Sequence, residues 1–98
     1  MNTNRETDLL GATRATKKLD YWKEIQSRGI NSVTGAEDGI VYDVLERIEY
    51  WTKQVKKYTD RIEKHIADFE KIKDPFQFLK WISEIVETIK LIINTLIK

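Results

Sequence analysis

Residues Val41–Ile72 read VYDVLERIEYWTKQVKKYTDRIEKHIADFEKI. Within them a seam recurs at Val41, Val44, Ile48, Trp51, Val55, Tyr58, Ile62, His65, Phe69 and Ile72. The steps alternate between three and four without a break. That is the signature of a long α-helix whose narrow stripe faces another helix. It predicts a helix over about 36–73, roughly 50 Å long at 1.5 Å per residue. Thr34 followed by Glu37 fits a capping box at its start, with Asp38 as the rival cap.

The sequence around this seam supplies its neighbours. Asp74-Pro75 ends the long helix and opens the next, since aspartate is a good N-cap and proline suits the first helical position. A residue before proline avoids the helical region, so the two helices cannot form one straight rod. So short a link favours an antiparallel hairpin. The third helix is predicted over about 75–97, on a stripe of Phe78, Ile82, Ile85, Ile89, Ile92 and Leu96. N-terminal to the seam, Ala12, Ala15, Leu19, Trp22 and Ile25 share one face. They predict a first helix over about 13–28, closed by Gly29. Residues 1–12 read as a flexible arm. The three glycines of 29–39, together with Asn31, Ser32, Thr34 and Asp38, read as the connecting loop.

The expected fold is all-α: one domain over residues 1–98, with a long central helix in an antiparallel hairpin and a shorter N-terminal helix beside it. A roughly 36 Å third helix covers only the second half of a 50 Å partner. The first helix is then left to close the end near Val44 and Ile48. A two-stranded coiled coil fits less well. Trp51, Tyr58 and His65 occupy positions where such dimers want leucine, and Leu45, Thr52, Thr59 and Ile66 flank the seam where they want charge. Bundle packing is the expectation.

Composition narrows the function. The 98 residues are 41% hydrophobic and 34% charged, with 17 basic and 16 acidic residues for a net charge of +1. There is no global field to gather polyanions or anionic lipid. Cysteine is absent, which excludes disulfides, thiolate metal sites and cysteine nucleophiles. No apolar leader or membrane span is visible, and a cytoplasmic protein is expected.

The chemistry-bearing residues are sparse. His65 is the only histidine. A lone histidine on a helix seam reads as a hydrogen-bonded layer residue, not a metal ligand. In a dimer, two copies of it would meet and loosen association near its titration. Glu84 and Glu87, like Glu46 and Glu49, are three apart, but no Glu-x-x-His accompanies them. Neither a phosphate loop nor a Ser/His/Asp set is present. The expectation is a protein without enzymatic activity, metal or cofactor.

Surplus apolar surface points instead to association. Helix 75–97 is apolar over more than one stripe, wider than one neighbour can bury. The candidate partner-binding residues are Trp22, Phe76, Leu79, Trp81, Val86, Ile93 and Ile97, in a protein–protein interaction or assembly module. The alternative is a small nucleic-acid-binding regulator. Its basic strip would comprise Lys17 and Lys18 from the first helix with Lys53, Lys56, Lys57, Arg61 and Lys64 from the second. If those helices pack antiparallel the two sets merge, although Asp20, Glu24, Asp60 and Glu63 are interleaved with them in sequence.

Overall fold

Three helices and a short β-hairpin make up the chain in a computed structural model that describes residues 3–71 and 73–98. Helix α1 spans Thr3–Ser27, strands β1 and β2 span Ser32–Thr34 and Val41–Asp43, and helices α2 and α3 span Val44–Ala67 and Pro75–Leu96. A short 3-10 turn, Asp68–Lys71, extends the end of α2. The all-α, three-helix bundle-like architecture is the expected one. The roles of the helices within it differ from expectation.

Helix α1 packs against both α2 and α3, while α2 and α3 approach each other closely at few places. At 25 residues it is also the longest helix, not the shorter accessory one. It begins at Thr3, where a flexible arm was expected; residues 1 and 2 lie outside the described residues. The buried face explains why. Arg5, Asp8, Leu9, Ala12, Ala15, Thr16, Leu19 and Trp22 are all buried and recur at helical spacing. The first turns of that face are charged or small, so they carry little of the large apolar signal that marks an amphipathic helix. Thr16 remains satisfied inside the core because its hydroxyl donates to the Ala12 carbonyl at 2.7 Å.

The C-terminus of α1 follows the sequence closely. Gly29 adopts φ 77°, a left-handed conformation that costs side-chain-bearing residues about 1–2 kcal/mol. The Ile30 amide reaches back to the Ile25 carbonyl and the Gly29 amide to that of Gln26. These paired bonds satisfy the last open carbonyls of the helix.

The second helix starts at Val44 rather than near residue 36, because residues 32–43 are used otherwise. β1 and β2 pair antiparallel, with Val33 opposite Tyr42. The turn between them depends on Asp38, which accepts from the Ile40 amide at 2.9 Å and from the Tyr42 hydroxyl at 3.0 Å. Gly39 takes φ 68°. Asp38 is therefore a turn residue, and the N-cap of α2 is Asp43, accepting from the Glu46 amide at 3.0 Å. Val41, the first seam position expected, is 65% exposed on β2.

From Val44 onward the seam behaves as its spacing predicts. Val44, Val55 and Ile62 are at most 2% exposed, and Ile48, Trp51 and Tyr58 pack partly buried between them. Burying each such aliphatic side chain contributes about 1.5–3 kcal/mol. The seam position Ile72 and the side chain of Phe69 lie outside the described residues. At 24 residues, α2 nearly matches the 22 of α3. The seam is nevertheless covered chiefly by α1, which packs on α2 far more extensively than α3 does. Asp74 caps α3 as expected, accepting from the Phe76 and Gln77 amides.

Cross-helix contacts fix the directions. Asp8 of α1 meets Arg61 and His65 of α2, while Trp22 meets Tyr42 and Arg47. These helices are antiparallel. Arg5 meets Glu84, and Lys23 donates to the Thr95 and Leu96 carbonyls. α1 and α3 are therefore parallel, and the chain runs up, down and up again. α1 closes one side of the α2/α3 pair, and the other side stays open.

Candidate functional site

The expected partner-binding residues divide into two groups. Phe76, Leu79, Val86, Ile93 and Ile97 are 83%, 62%, 41%, 52% and 77% exposed. Leu79, Val86 and Ile93 are seven apart and form one line along α3. Trp22 and Trp81 do not belong with them. Trp22 is buried at 8% exposure, and Trp81 is half-buried under Arg5, whose guanidinium lies 3.6 Å from its ring centroid. The expectation of an exposed tryptophan surface is corrected, because an arginine from a neighbouring element covers each ring.

The largest of these arrangements surrounds Arg47. Its guanidinium carbon lies between 5.1 and 5.9 Å from the ring centroids of Trp22, Tyr42, Tyr50 and Trp51. Planar cations stack on aromatic faces at such distances. The cage ties α1, β2 and α2 together and accounts internally for much of the aromatic load. Composition shows that load, but only the tertiary fold shows that Arg47 gathers four of the rings, with Tyr50 among them still 47% exposed.

On α2, Leu45, Thr52, Thr59 and Ile66 are seven apart and form a second line. Leu45 and Ile66 are 56% and 42% exposed. Thr52 and Thr59 turn their hydroxyls back to the Ile48 and Val55 carbonyls at 2.7 and 2.8 Å, which saturates their donors within the helix. On the helical wheel this line lies across the seam from Arg47, Arg61 and His65, the residues that meet α1. The Leu79–Val86–Ile93 line likewise avoids Glu84 and Thr88, which line a shared groove with α1. Both lines therefore border the open side of the α2/α3 pair.

His65 is not poised to meet a second copy of itself. Its Nε2 lies 2.8 Å from Asp8 Oδ2, and its side chain is 20% exposed. Arg61 holds the other carboxylate oxygen at 3.2 Å. The result is a clasp between the start of α1 and the end of α2, the layer role that the sequence suggested. Its acidic member comes from the stretch expected to be a loose arm. Among the described residues no group of three His, Asp or Glu side chains is arranged to hold a metal. None of their helices is long and apolar enough to cross a membrane.

The expected basic strip is partly assembled. Arg14, Lys17, Lys18 and Tyr21 of α1 line a groove of about 640 Å³ with Trp51 of α2. Further along the same seam, Lys64 and Arg61 border a cleft with Thr7 and Asp8. Lys57 lies four residues before Arg61 and seven before Lys64, on the same edge of α2. By spacing, Lys56 falls on the far flank and Lys53 on the outward face, so these two do not join. The acids that interrupt the strip in sequence are largely drawn off. Asp20 pairs with Lys98 and Glu24 with Arg28, and Glu63 lies on the opposite flank of α2. Asp60 alone stays close, one turn before Lys64.

Two ionisable groups in the hairpin have shifted titrations. Asp38 is lowered from 3.8 chiefly by the Ile40 amide and then by the Tyr42 hydroxyl. Tyr42 is raised from 10.0 chiefly by its hydrogen bond to Asp38. Hydrogen bonds to the charged carboxylate favour its ionised form, and the same bond holds the phenol proton in place. Comparison with protein-family models, curated proteins and solved structures returns no match.

Proposed function

We propose that the protein is a non-enzymatic assembly module that pairs with a second copy of itself through the open side of α2 and α3. The observation that carries this reading is two lines along α2 and α3, Leu45–Thr52–Thr59–Ile66 and Leu79–Val86–Ile93, whose large apolar members Leu45, Ile66, Leu79, Val86 and Ile93 are 41–62% exposed. With Phe76, Leu96 and Ile97 they make eight large apolar side chains on two helices that are 41–83% exposed. A standard interface takes about 800 Å² from each partner. Singly scattered apolar residues need no explanation, but this many on two helices of so small a chain do.

The face is also suited to two-fold pairing, in which one patch meets its own copy. Leu79 and Ile93 stand symmetrically about Val86, and Phe76 and Leu96 stand symmetrically beyond them. In an antiparallel α3 pair, Val86 meets Val86 of the second copy and Leu79 meets Ile93. Light scattering on the full chain tests the reading. A dimer is expected, with Val86→Glu giving a folded monomer by circular dichroism. A monomeric wild-type protein at concentrations of about 100 µM, weaker than nearly any specific pair, overturns it.

A further inference from the structure

Independently of that assembly, we propose that the seam between α1 and α2, on the flank away from the apolar lines, binds single-stranded nucleic acid. The argument begins with charge. Arg14, Lys17 and Lys18 of α1 line one groove of the α1/α2 seam, and Arg61 and Lys64 of α2 border a separate cleft further along it, with Lys57 four residues before Arg61 on the same edge of α2. A chain of net charge +1 thus concentrates Arg14, Lys17, Lys18, Lys57 and Lys64 along one seam, with Arg61 held by Asp8 and Asp60 the one acid one turn before Lys64. Asp20 and Glu24 are held by Lys98 and Arg28 at its end, and Asp8 is buried in the clasp below. From Trp51 to Lys64 the track is about 20 Å long at 1.5 Å per residue. A linear run of cations complements a linear run of phosphates.

The second part of the argument is aromatic. Tyr21 is 54% exposed and shares the groove of about 640 Å³ with Trp51 and the three α1 cations. Tyr50, 47% exposed, stands edge-on to the Trp51 ring at 5.0 Å. Rings set between cations are what unpaired bases stack on, whereas a duplex hides its base faces and needs only the phosphate contacts. The arrangement therefore favours a single strand, and it favours no particular sequence, because every base has a face to stack.

The test is fluorescence anisotropy of a labelled oligothymidylate about 20 nucleotides long, with the full chain at about 50 mM salt. Binding in the micromolar range is expected. With about five phosphate contacts it should weaken roughly 130-fold as salt rises from about 50 to about 200 mM. The charge-reversed K17E/K18E variant should lose at least about 10-fold, and Tyr21→Ala about 10-fold through lost stacking. These side chains are exposed, and circular dichroism checks that each variant is folded. No anisotropy change at about 100 µM protein overturns the proposal. So does full affinity in Tyr21→Ala or in K17E/K18E. Binding to phosphatidylserine vesicles without binding to the oligonucleotide would overturn it as well, assigning the seam to a membrane surface.

Discussion

Replacing Gly11 by alanine tests the packing of α1 on α2 at one atom. On propensity alone the change should help. Glycine inside a helix costs about 1 kcal/mol relative to alanine, and Gly11 lies mid-helix in α1. The tertiary contact opposes it. A Cβ at Gly11 would come within 2.9 Å of three atoms of Tyr58, Cε1, Cζ and Oη. These belong to a ring held in the α1/α2 seam, with Arg61 5.5 Å from its centroid. Overpacking of this kind costs about 1–3 kcal/mol. The balance is a net loss of about 1 kcal/mol, or roughly 4–8 °C in melting temperature for a domain of this size.

The sign of the effect depends on the ring, which makes the reasoning refutable. Urea unfolding followed by circular dichroism should show Gly11→Ala destabilising in the wild-type background. In a Tyr58→Ala background the obstacle is gone, and the same change should stabilise by about 1 kcal/mol. If Gly11→Ala stabilises the wild-type chain by that amount, the Tyr58 ring moves aside freely and the close approach constrains nothing.

The hairpin should respond to pH at both extremes. The folded-state pKa of Asp38 is lowered, so its contribution is present above about 3.8 and lost as pH falls below that. Tyr42 is raised, so its contribution is present below about 10 and lost as pH rises above it. Protection of the Ile40 amide, its exchange rate relative to an unstructured chain at the same pH, should therefore hold between those limits and fall beyond both; protection independent of pH would dissociate the Asp38–Tyr42 bond from hairpin stability. Gly39→Ala forces a side chain into a left-handed backbone and should cost about 1 kcal/mol by chemical denaturation. Arg5→Ala removes the cation over Trp81 and leaves a void beneath α1. It should cost about 2–3 kcal/mol, where a residue of a loose arm would cost nothing.

How much of this was legible in the sequence depends on the kind of signal each element carries. The α2 seam was readable from Val44 to Ile62 because large apolar side chains repeat there at helical spacing. Asp74-Pro75 was readable because capping and the proline ring act locally. The start of α1 was not, because its inner face uses Arg5, Asp8, Ala12 and Ala15. Charged residues at positions 5 and 8 read as solvated until Trp81, Glu84, Arg61 and His65 are brought to meet them from at least fifty residues away. β2 was hidden for the opposite reason. Val41 continues the heptad in register, and only the Asp38 turn and the Asp43 cap show that the helix begins three residues later. The exposed face of α3 was legible as surplus, since its apolar arc is wider than one neighbour needs. Trp22 and Trp81 were misplaced because composition cannot say which rings an arginine from another element will cover.

The two proposed surfaces lie on opposite flanks of α2, and this has a measurable consequence. Pairing through Leu79, Val86 and Ile93 leaves the Lys18–Lys57–Arg61 seam open in each copy, so a two-fold pair carries two seams. A strand long enough to reach both binds the second one intramolecularly, which raises apparent affinity by about 10²–10⁴ when the span is matched. A strand confined to one seam gains nothing. Val86→Glu, which touches neither cation nor ring of the seam, should then weaken binding of an oligonucleotide of about 60 residues far more than one of about 15. An equal effect on both lengths would mean that the substitution disturbs the seam itself. No effect on either would mean that one strand does not bridge the two seams, even if each surface works alone.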